Sequence, residues 1–212
     1  MRNPLQILWY IRAIDGRIPW RKDGRFPLDH HRLRRLASTL DRAGYYGALT
    51  TATNKHDAFF QALSLIPYSE RLRFLVPIYP GVIPPALLAE QALTFDDYSG
   101  GRLLFNQVNG DDPHLNRYGP QPSHDERYEV SAEYWSLFKR VYSGDLSAHK
   151  GKYFSYSAAH PGRIDEPPGA IQLPHTPLWG SGASKAGIHH AGKVLDTYLT
   201  FLQRPDKLRS QI

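Results

Sequence analysis

Cysteine is absent from the 212-residue chain, and methionine occurs once. Without a thiol the protein cannot form disulfides, bind zinc through cysteine or use a cysteine nucleophile, and the lack of cysteine fits a reducing cytoplasm. No apolar run approaches the roughly 18 residues of a membrane-spanning helix. The apolar stretch at residues 7–11 is interrupted by Arg12, so we interpret it as a first strand and not as a signal peptide.

Charge is unbalanced, because 26 Lys and Arg against 20 Asp and Glu give a net charge of +6. The basic residues are concentrated at residues 12–42, where they either attract anions or form the solvated face of a helix. No nucleic-acid-binding motif accompanies them, which argues against a nucleic-acid partner. The histidine pairs at residues 30–31 and 189–190 do not predict a metal site, because adjacent side chains on a helix point in different directions.

Strand and helix patterns alternate along the chain. Short apolar runs predict strands at residues 6–12, 46–51, 71–78, 102–108, 178–180 and 197–202. Helical spacing and capping signals predict helices at residues 28–43, 58–66, 84–98 and 129–142, and from the turn at 181–187 onward. This β-α-β-α order predicts an α/β protein with a parallel sheet. A period-2 stretch at residues 151–156 predicts an insertion hairpin within residues 150–175.

Residues 99–135 place a strand end and a helix start close together in sequence, with polar side chains at both. The strand ends near Asn109, where a barrel strand would open into its active-site loop. Ser123 and Glu126 have the spacing of a capping box, which predicts that Ser123 is the N-cap of the next helix. We interpret Arg127 as the partner of a nearby carboxylate, Glu129 or Asp125.

A second polar segment, residues 181–187, lies between a predicted strand and a predicted helix. Its small residues allow backbone N–H groups to approach a phosphate, and a helix N-terminus favours the negative charge. Ser184 could add a hydroxyl.

Two further positions have alternatives that the sequence leaves open. Asn106 and Asn109 either bind a ligand or cap loop backbone, and Asp57 either contacts a ligand or caps a helix.

Two blocks of the chain, GGR-x-x-FN-x-V-x-G-x-D and H-x-ERYE-x-x-AE-[FY], resemble those of the bacterial-luciferase-like, flavin-dependent monooxygenases, and within them the alkanesulfonate monooxygenase branch. The resemblance covers almost the whole chain. It implies a TIM-type (β/α)8 barrel with about six βα units present, in a single incomplete domain over residues 1–212. The relatives carry a cysteine near the position of Lys55, and their acid–base groups fall beyond Ile212. We therefore expect a fragment that is inactive by itself.

The resemblance also implies a function. A separate NAD(P)H-dependent flavin reductase would supply reduced FMN (FMNH2), and the enzyme would oxygenate a small organic substrate. For an alkanesulfonate the products would be an aldehyde and sulfite, through C–S cleavage. The alternatives are a non-catalytic flavin-binding protein of the same fold and a deazaflavin (F420)-dependent oxidoreductase. A cytoplasmic homo-oligomer without a membrane partner is expected.

By the same resemblance, His124 and Tyr128 lie against the flavin phosphate and ribityl chain, and an often cis peptide near Ile78 and Tyr79 supports the flavin ring. No catalytic residue or metal ligand is predicted within the chain. The predicted cofactor-binding residues are Asp57, Asn106, Asn109, His124, Tyr128, Gly182, Ala183 and Ser184.

Overall fold

The computed structural model of the protein describes residues 5–53, 56–110, 115–119, 122–158, 169–201 and 204–209. The chain divides into two compact units. The first comprises Met1–Pro77 and Tyr98–Leu104, and the second comprises Ile78–Asp97 and Phe105–Ile212. Within the described ranges, no helix is both long enough and apolar enough to cross a membrane.

Six strands pair in one sheet in the order β1-β2-β3-β4-β7-β8. The strands are Leu8–Ile11 (β1), Gly47–Thr50 (β2), Arg73–Ile78 (β3), Leu103–Gln107 (β4), His149–Lys150 (β5), Ser155–Tyr156 (β6), Leu178–Ser181 (β7) and Thr197–Leu199 (β8). The pairs β1–β2, β2–β3, β4–β7 and β7–β8 are parallel, whereas β5 and β6 form a separate antiparallel hairpin. Parallel strands joined by helices confirm the predicted α/β class.

Five helices occupy the connections between successive parallel strands, and a sixth follows β8. They are His30–Arg42 (α1), Ala58–Leu65 (α2), Pro85–Ser99 (α3), Glu126–Tyr142 (α4), Lys185–Val194 (α5) and Pro205–Arg209 (α6). The first five were predicted to within a few residues. In α1, the buried apolar residues Leu33, Ala37 and Leu40 recur every three or four positions and form one face. This spacing is the sequence pattern that predicted the helix.

Two local predictions are wrong. α4 begins at Glu126 with Asp125 as its N-cap, so Ser123 is not the cap of a capping box. Asp125 already has helical backbone angles, and Ser123 meets the helix through its carbonyl, which accepts the N–H of Arg127 at 3.0 Å. The peptide bonds at Ile78 and Tyr79 are trans, and the cis bond of the described chain is Leu173–Pro174.

Asp41, at the end of α1, orders the turn that leads into β3. Its carboxylate accepts the backbone N–H groups of Glu70, Arg71 and Leu72 at 3.1, 2.8 and 2.7 Å. Burial acts to raise the pKa of Asp41, but these N–H groups lower it, and the net pKa lies below the ordinary value. The charged carboxylate is therefore part of the folded structure of the first unit.

Arg102, the arginine of the Gly-Gly-Arg block, is 8% exposed and makes hydrogen bonds inside the first unit. Gly100 and Gly101 precede it with φ of +69° and +78°, a conformation that glycine adopts without steric cost. The guanidinium donates to the backbone oxygens of Ser99, Leu72 and Ile66 and to the Ser69 hydroxyl, over 2.6–3.4 Å. This block of the sequence therefore closes α3 and positions β4.

The core of the second unit is aromatic. Phe105 of β4 packs against Trp135 and Phe138 of α4, with ring centroids 5.8 and 5.6 Å apart. Trp135 also lies edge-on to Tyr134 and to Phe138, at 5.3 and 5.4 Å. All four side chains are fully buried. Aromatic pairs of this kind contribute about 0.5–1.5 kcal/mol beyond the area they bury, so the α4–β4 contact is a rigid part of the unit.

The opposite face of α4 binds the predicted insertion hairpin. The Glu133 carboxylate accepts the N–H groups of Lys152, Tyr153 and Phe154 at 2.9–3.1 Å and contacts His149 Nε2 at 3.1 Å. Burial acts to raise the pKa of Glu133, but these partners lower it below its ordinary value. One turn earlier, Glu129 accepts from Lys152 Nζ and the Tyr153 hydroxyl, both at 2.7 Å. Glu129 is therefore committed to the hairpin.

Candidate functional site

The loop after β7 leads directly into α5, and Ser184 is the N-cap of that helix. The Ser184 hydroxyl oxygen accepts the N–H of Gly187 at 3.1 Å, and its carbonyl accepts the N–H of Ile188 at 2.9 Å. The N–H groups of Lys185 and Ala186 donate to no atom of the described residues, as expected for the first turn of a helix. The Ser184 hydrogen remains available as a third donor. These groups suit an anion.

Two glycines bring this loop against α4. A Cβ on Gly182 would lie 2.7 Å from Gly187 Cα, and a Cβ on Gly187 would lie 2.7 Å from the Tyr128 hydroxyl oxygen. Both distances are shorter than real Cβ contacts, so larger residues would push the loop, the helix start and Tyr128 apart. The Tyr128 hydroxyl therefore lies at the first turn of α5, beside the backbone groups that suit an anion.

Tyr128 also contacts two histidines. Its ring centroid is 5.5 Å from that of His124 and 5.5 Å from that of His190. His124 is exposed, and its Nδ1 lies 2.7 Å from Asp125 Oδ1. Of the residues predicted from the sequence, the structure brings together five around the start of α5: His124, Tyr128, Gly182, Ala183 and Ser184. The Asp125 carboxylate contacts His124, and the Glu129 carboxylate contacts the hairpin. The interpretation of Arg127 as the partner of a nearby carboxylate stays a prediction.

Asn106 and Asn109 lie at the carboxyl end of β4 in the same unit. Asn106 is in register with Trp179 of β7, so the two half-buried side chains share one face of the sheet. Asn109 lines a cavity of about 20 Å³ together with Tyr79 and Arg127. Its amide Nδ2 is buried and has no hydrogen-bond partner among the described residues. Ligand binding and loop capping both stay predictions for Asn109.

Asp57 belongs to the first unit and caps a helix. Its Oδ1 accepts the N–H groups of Phe59 and Phe60 at 2.8 and 2.9 Å, which makes it the N-cap of α2. The capping alternative is thus the one that the structure shows. Asp57 also lines a cavity of about 460 Å³ between residues of α1 and α2.

The sequence did not identify a buried polar cluster behind Tyr128, formed by Gln107, Ser131, Trp135 and His190. Gln107 Oε1 lies 2.9 Å from Ser131 Oγ, 2.6 Å from Trp135 Nε1 and 2.9 Å from His190 Nε2. Because an indole N–H can only donate, the Gln107 oxygen must face this cluster. The opposite atom, Nε2, is buried and has no partner in the part of the chain that the structure describes. A glutamine after the apolar start of β4 was the one available signal.

His190 is 5% exposed and connects α5 to this cluster. Burial lowers its pKa from 6.5 to about 4, although hydrogen bonding to the Tyr128 backbone acts in the opposite direction. His189 lowers the pKa further by electrostatic repulsion. The side chains that face His190, those of Tyr128, Gln107 and Ser131, carry no charge. The imidazole is therefore neutral in the folded protein at neutral pH.

A histidine with a depressed folded pKa binds more protons in the unfolded state, so falling pH destabilises the fold. Through His190 alone, the free energy of unfolding should fall by about 2 kcal/mol between pH 7.5 and pH 5. His190→Gln keeps an amide donor for Gln107 and cannot titrate. Its free energy of unfolding, measured with urea, should therefore fall by about 2 kcal/mol less than that of the wild type between pH 7.5 and pH 5. His189→Gln, at the exposed neighbouring position, is the control. Equal slopes for His190→Gln and the wild type would contradict the assignment.

Within the described part of the chain, no group of three or more His, Asp or Glu side chains is arranged to hold a metal ion. The groups that the site does offer are backbone N–H donors, hydroxyls, an amide and two histidines. This donor set suits a phosphorylated organic ligand, whose anionic group would lie at the α5 N-terminus.

Comparison with known proteins supports this description of the fold. Residues 18–212 match the family described as luciferase-like monooxygenase. The chain is similar to riboflavin lyase RcaE, solved with modified FMN and its substrate riboflavin (TM-score 0.80, 16% identity, 99% of this chain, 57% of that chain). It is also similar to the coenzyme F420-dependent tetrahydromethanopterin reductase of Methanopyrus kandleri, with a TM-score of 0.77 and 15% identity over 99% of this chain and 59% of that chain. A third similar structure is long-chain alkane monooxygenase LadA, with a TM-score of 0.75 and 16% identity over 100% of this chain and 59% of that chain.

These identities are too low to carry more than the fold. They confirm the predicted TIM-type α/β architecture, of which six parallel strands are present. The chain spans less than two thirds of the length of each of these structures.

Proposed function

Because the chain belongs to the luciferase-like monooxygenase family, we propose that it acts as an FMNH2-dependent monooxygenase of a two-component system. The observation that carries the proposal is the start of α5, where free backbone N–H groups, the Ser184 hydroxyl and the Tyr128 hydroxyl lie together. A flavin mononucleotide carries a phosphate that matches these donors. The glycine contacts support the fit, since a Cβ at Gly182 or Gly187 would displace the groups that form the cradle.

In this proposal, the flavin supplies the oxygen chemistry when it is bound, and the protein binds and orients it. The N–H groups of Lys185 and Ala186, with Ser184 and Tyr128, hold the phosphate. The exposed His124 lies beside the Tyr128 ring, with the two ring centroids 5.5 Å apart. Asn106 and the buried Asn109 amide are the donors proposed for the polar edge of the ring. Trp179 provides an apolar surface on the same face as Asn106.

For the substrate, we propose a small organic sulfonate, cleaved at its C–S bond to an aldehyde and sulfite. Support comes from the sequence blocks shared with the alkanesulfonate monooxygenase branch and from the net charge of +6. We further propose a separate NAD(P)H-dependent flavin reductase as partner, a homo-oligomeric assembly and a cytoplasmic location. Sulfite release from a panel of alkanesulfonates, with reduced FMN and oxygen supplied, tests the substrate class.

A second candidate is an F420-dependent oxidoreductase, which is favoured by the structural similarity to the Methanopyrus reductase. The two are separated by titrating the protein with FMN and with F420. Tighter binding of F420 would replace the first proposal by the second. Binding of FMN without any turnover of reduced flavin would support a non-catalytic flavin-binding protein of the same fold.

The cradle itself is tested by combining Ser184→Ala with Tyr128→Phe. Each change removes one hydroxyl, and together they should weaken FMN binding by about 1–3 kcal/mol if both hydroxyls bond the phosphate. The measurement is flavin fluorescence quenching at fixed ionic strength. The matched control is Ser157→Ala with Tyr156→Phe at the hairpin, away from α5, which should leave the dissociation constant unchanged. An unaltered constant in the cradle variant would place the phosphate elsewhere.

A further inference from the structure

Tyr198 of β8 bonds to the loop that precedes α5. Its hydroxyl donates to the carbonyl oxygen of Gly182 at 2.9 Å, in a partly buried position. In the strand register Tyr198 lies opposite Gly180 of β7, and its hydroxyl reaches Gly182, two residues further along the chain. A Cβ on Gly180 would lie 2.9 Å from Leu195 Cδ1 and 3.1 Å from Gln107 Cβ, so a side chain at the position opposite Tyr198 would have to displace these neighbours.

This bond fixes the direction of a whole peptide group. In a planar trans peptide the C=O and the following N–H point in opposite directions, so the Gly182 carbonyl and the Ala183 N–H rotate as one body. Gly182, which precedes this peptide group, has more backbone conformational freedom than any other residue type would have there. Without the Tyr198 hydroxyl, the packing of Gly182 against Gly187 would still limit the rotation. With it, the Ala183 N–H points away from Tyr198.

The orientation of the Ala183 N–H affects the anion site at the start of α5. Ser184 caps α5, and the N–H groups of Lys185 and Ala186 lie at the helix start. An Ala183 N–H turned away from Tyr198 adds a further donor next to them, at a residue whose own side chain is exposed. Successive N–H groups of this kind form a concave anion site that is stronger than a helix end alone.

We propose that Tyr198 is a positioning residue for the phosphate, and that its hydrogen bond to Gly182 sets the preference of the site for FMN over riboflavin. The inference rests on the proposed function, since it assumes that the phosphate lies at the start of α5. Tyr198 itself touches the loop and not the ligand. It acts by holding the Ala183 N–H in the orientation that binds the phosphate. Riboflavin lacks the phosphate, so its binding does not use this N–H group.

The test is Tyr198→Phe, which removes the hydroxyl and keeps the ring. The dissociation constants of FMN, riboflavin and inorganic phosphate are measured for the wild type and the variant. The loss of one positioned hydrogen bond should weaken FMN and phosphate by about 3- to 10-fold. The dissociation constant of riboflavin should change by less than about twofold. The preference of the protein for FMN over riboflavin should therefore decrease as FMN binding weakens. Tyr142→Phe, which removes a hydroxyl bonded to Asp96 and Gln172 in the same unit, is the matched control.

The outcomes separate the inference from the function it rests on. A wild type that binds riboflavin as tightly as FMN would overturn the phosphate site itself. A wild type that prefers FMN, with the preference intact in Tyr198→Phe, would overturn only the role of Tyr198. Equal weakening of FMN and riboflavin would also overturn it, since that result indicates general damage to the loop. Should Tyr198→Phe fail to fold, Tyr198→Leu, which also lacks a hydrogen-bond donor, provides the same ratio measurement.

Discussion

Replacing Arg102 by methionine is expected to lower the free energy of unfolding by about 3–5 kcal/mol, because removing a buried charge leaves its partners unsatisfied. The guanidinium bonds the backbone oxygens of Ser99, Leu72 and Ile66 and the Ser69 hydroxyl. Methionine fills similar space but donates no hydrogen bond. Asp41, which interacts electrostatically with Arg102, would also lose a compensating charge.

Urea unfolding at neutral pH measures this effect, and two further variants define its cause. Arg102→Lys keeps the charge but loses the planar arrangement of guanidinium N–H donors. Its free energy of unfolding should therefore remain well below that of the wild type. Arg21→Met removes an arginine whose side chain is 62% exposed and pairs with Asp23, and it should change stability by no more than about 0.5 kcal/mol. Wild-type stability in Arg102→Met would show that the four acceptors find other donors.

Replacing Gln107 by methionine is expected to have a comparable effect, again about 3–5 kcal/mol, in the second unit. The Gln107 oxygen is the shared partner of Ser131, Trp135 and His190. Methionine would leave the indole N–H and a hydroxyl buried without an acceptor. The loss of Nε2, which has no partner among the described residues, offsets part of this cost.

The same unfolding assay measures this change, with near-ultraviolet circular dichroism to follow the environment of Trp135. Gln91→Met on α3 is the control, because Gln91 is half-buried and makes none of these bonds. We expect Gln107→Met also to weaken FMN binding, since His190 contacts Tyr128. A cost below about 1 kcal/mol would show that the cluster repacks or takes up water, and that it does not fix the α4–α5 geometry.

Arg102 and Gln107 come from one short segment, residues 102–109, and the sequence predicted no ligand role for either of them. The segment was interpreted as part of a ligand site, through Asn106 and Asn109. The structure shows that its flanking residues, Arg102 and Gln107, are scaffold: one bonds the loops of the first unit, and the other bonds two helices of the second. A rigid strand end of this kind is what an active-site loop requires.

The sequence by itself determined the alternation of strands and helices, and hence the α/β class. Hydrophobic periodicity is a local property, and each of the five longer helices and six sheet strands contains enough of it to be located. The Ser-Gly-Ala-Ser turn at the start of α5 was also readable, because small residues before a helix act locally. The capping box at Ser123 was misread because the Ser-x-x-Glu spacing fits a capping box, whereas α4 begins at Glu126 without a side-chain capping bond.

Only the tertiary structure decided which polar residues meet. Gln107 and His190 are 83 residues apart in the chain, and Tyr198 lies 16 residues beyond the carbonyl it binds. Periodicity assigned His190 to a helix and Tyr198 to a strand, but it does not state which face of a neighbouring element each one touches. That depends on strand register and on helix packing, which are set by the fit of side chains across the whole core. The partners of His190 and Tyr198 are therefore properties of the fold and not of any stretch of sequence.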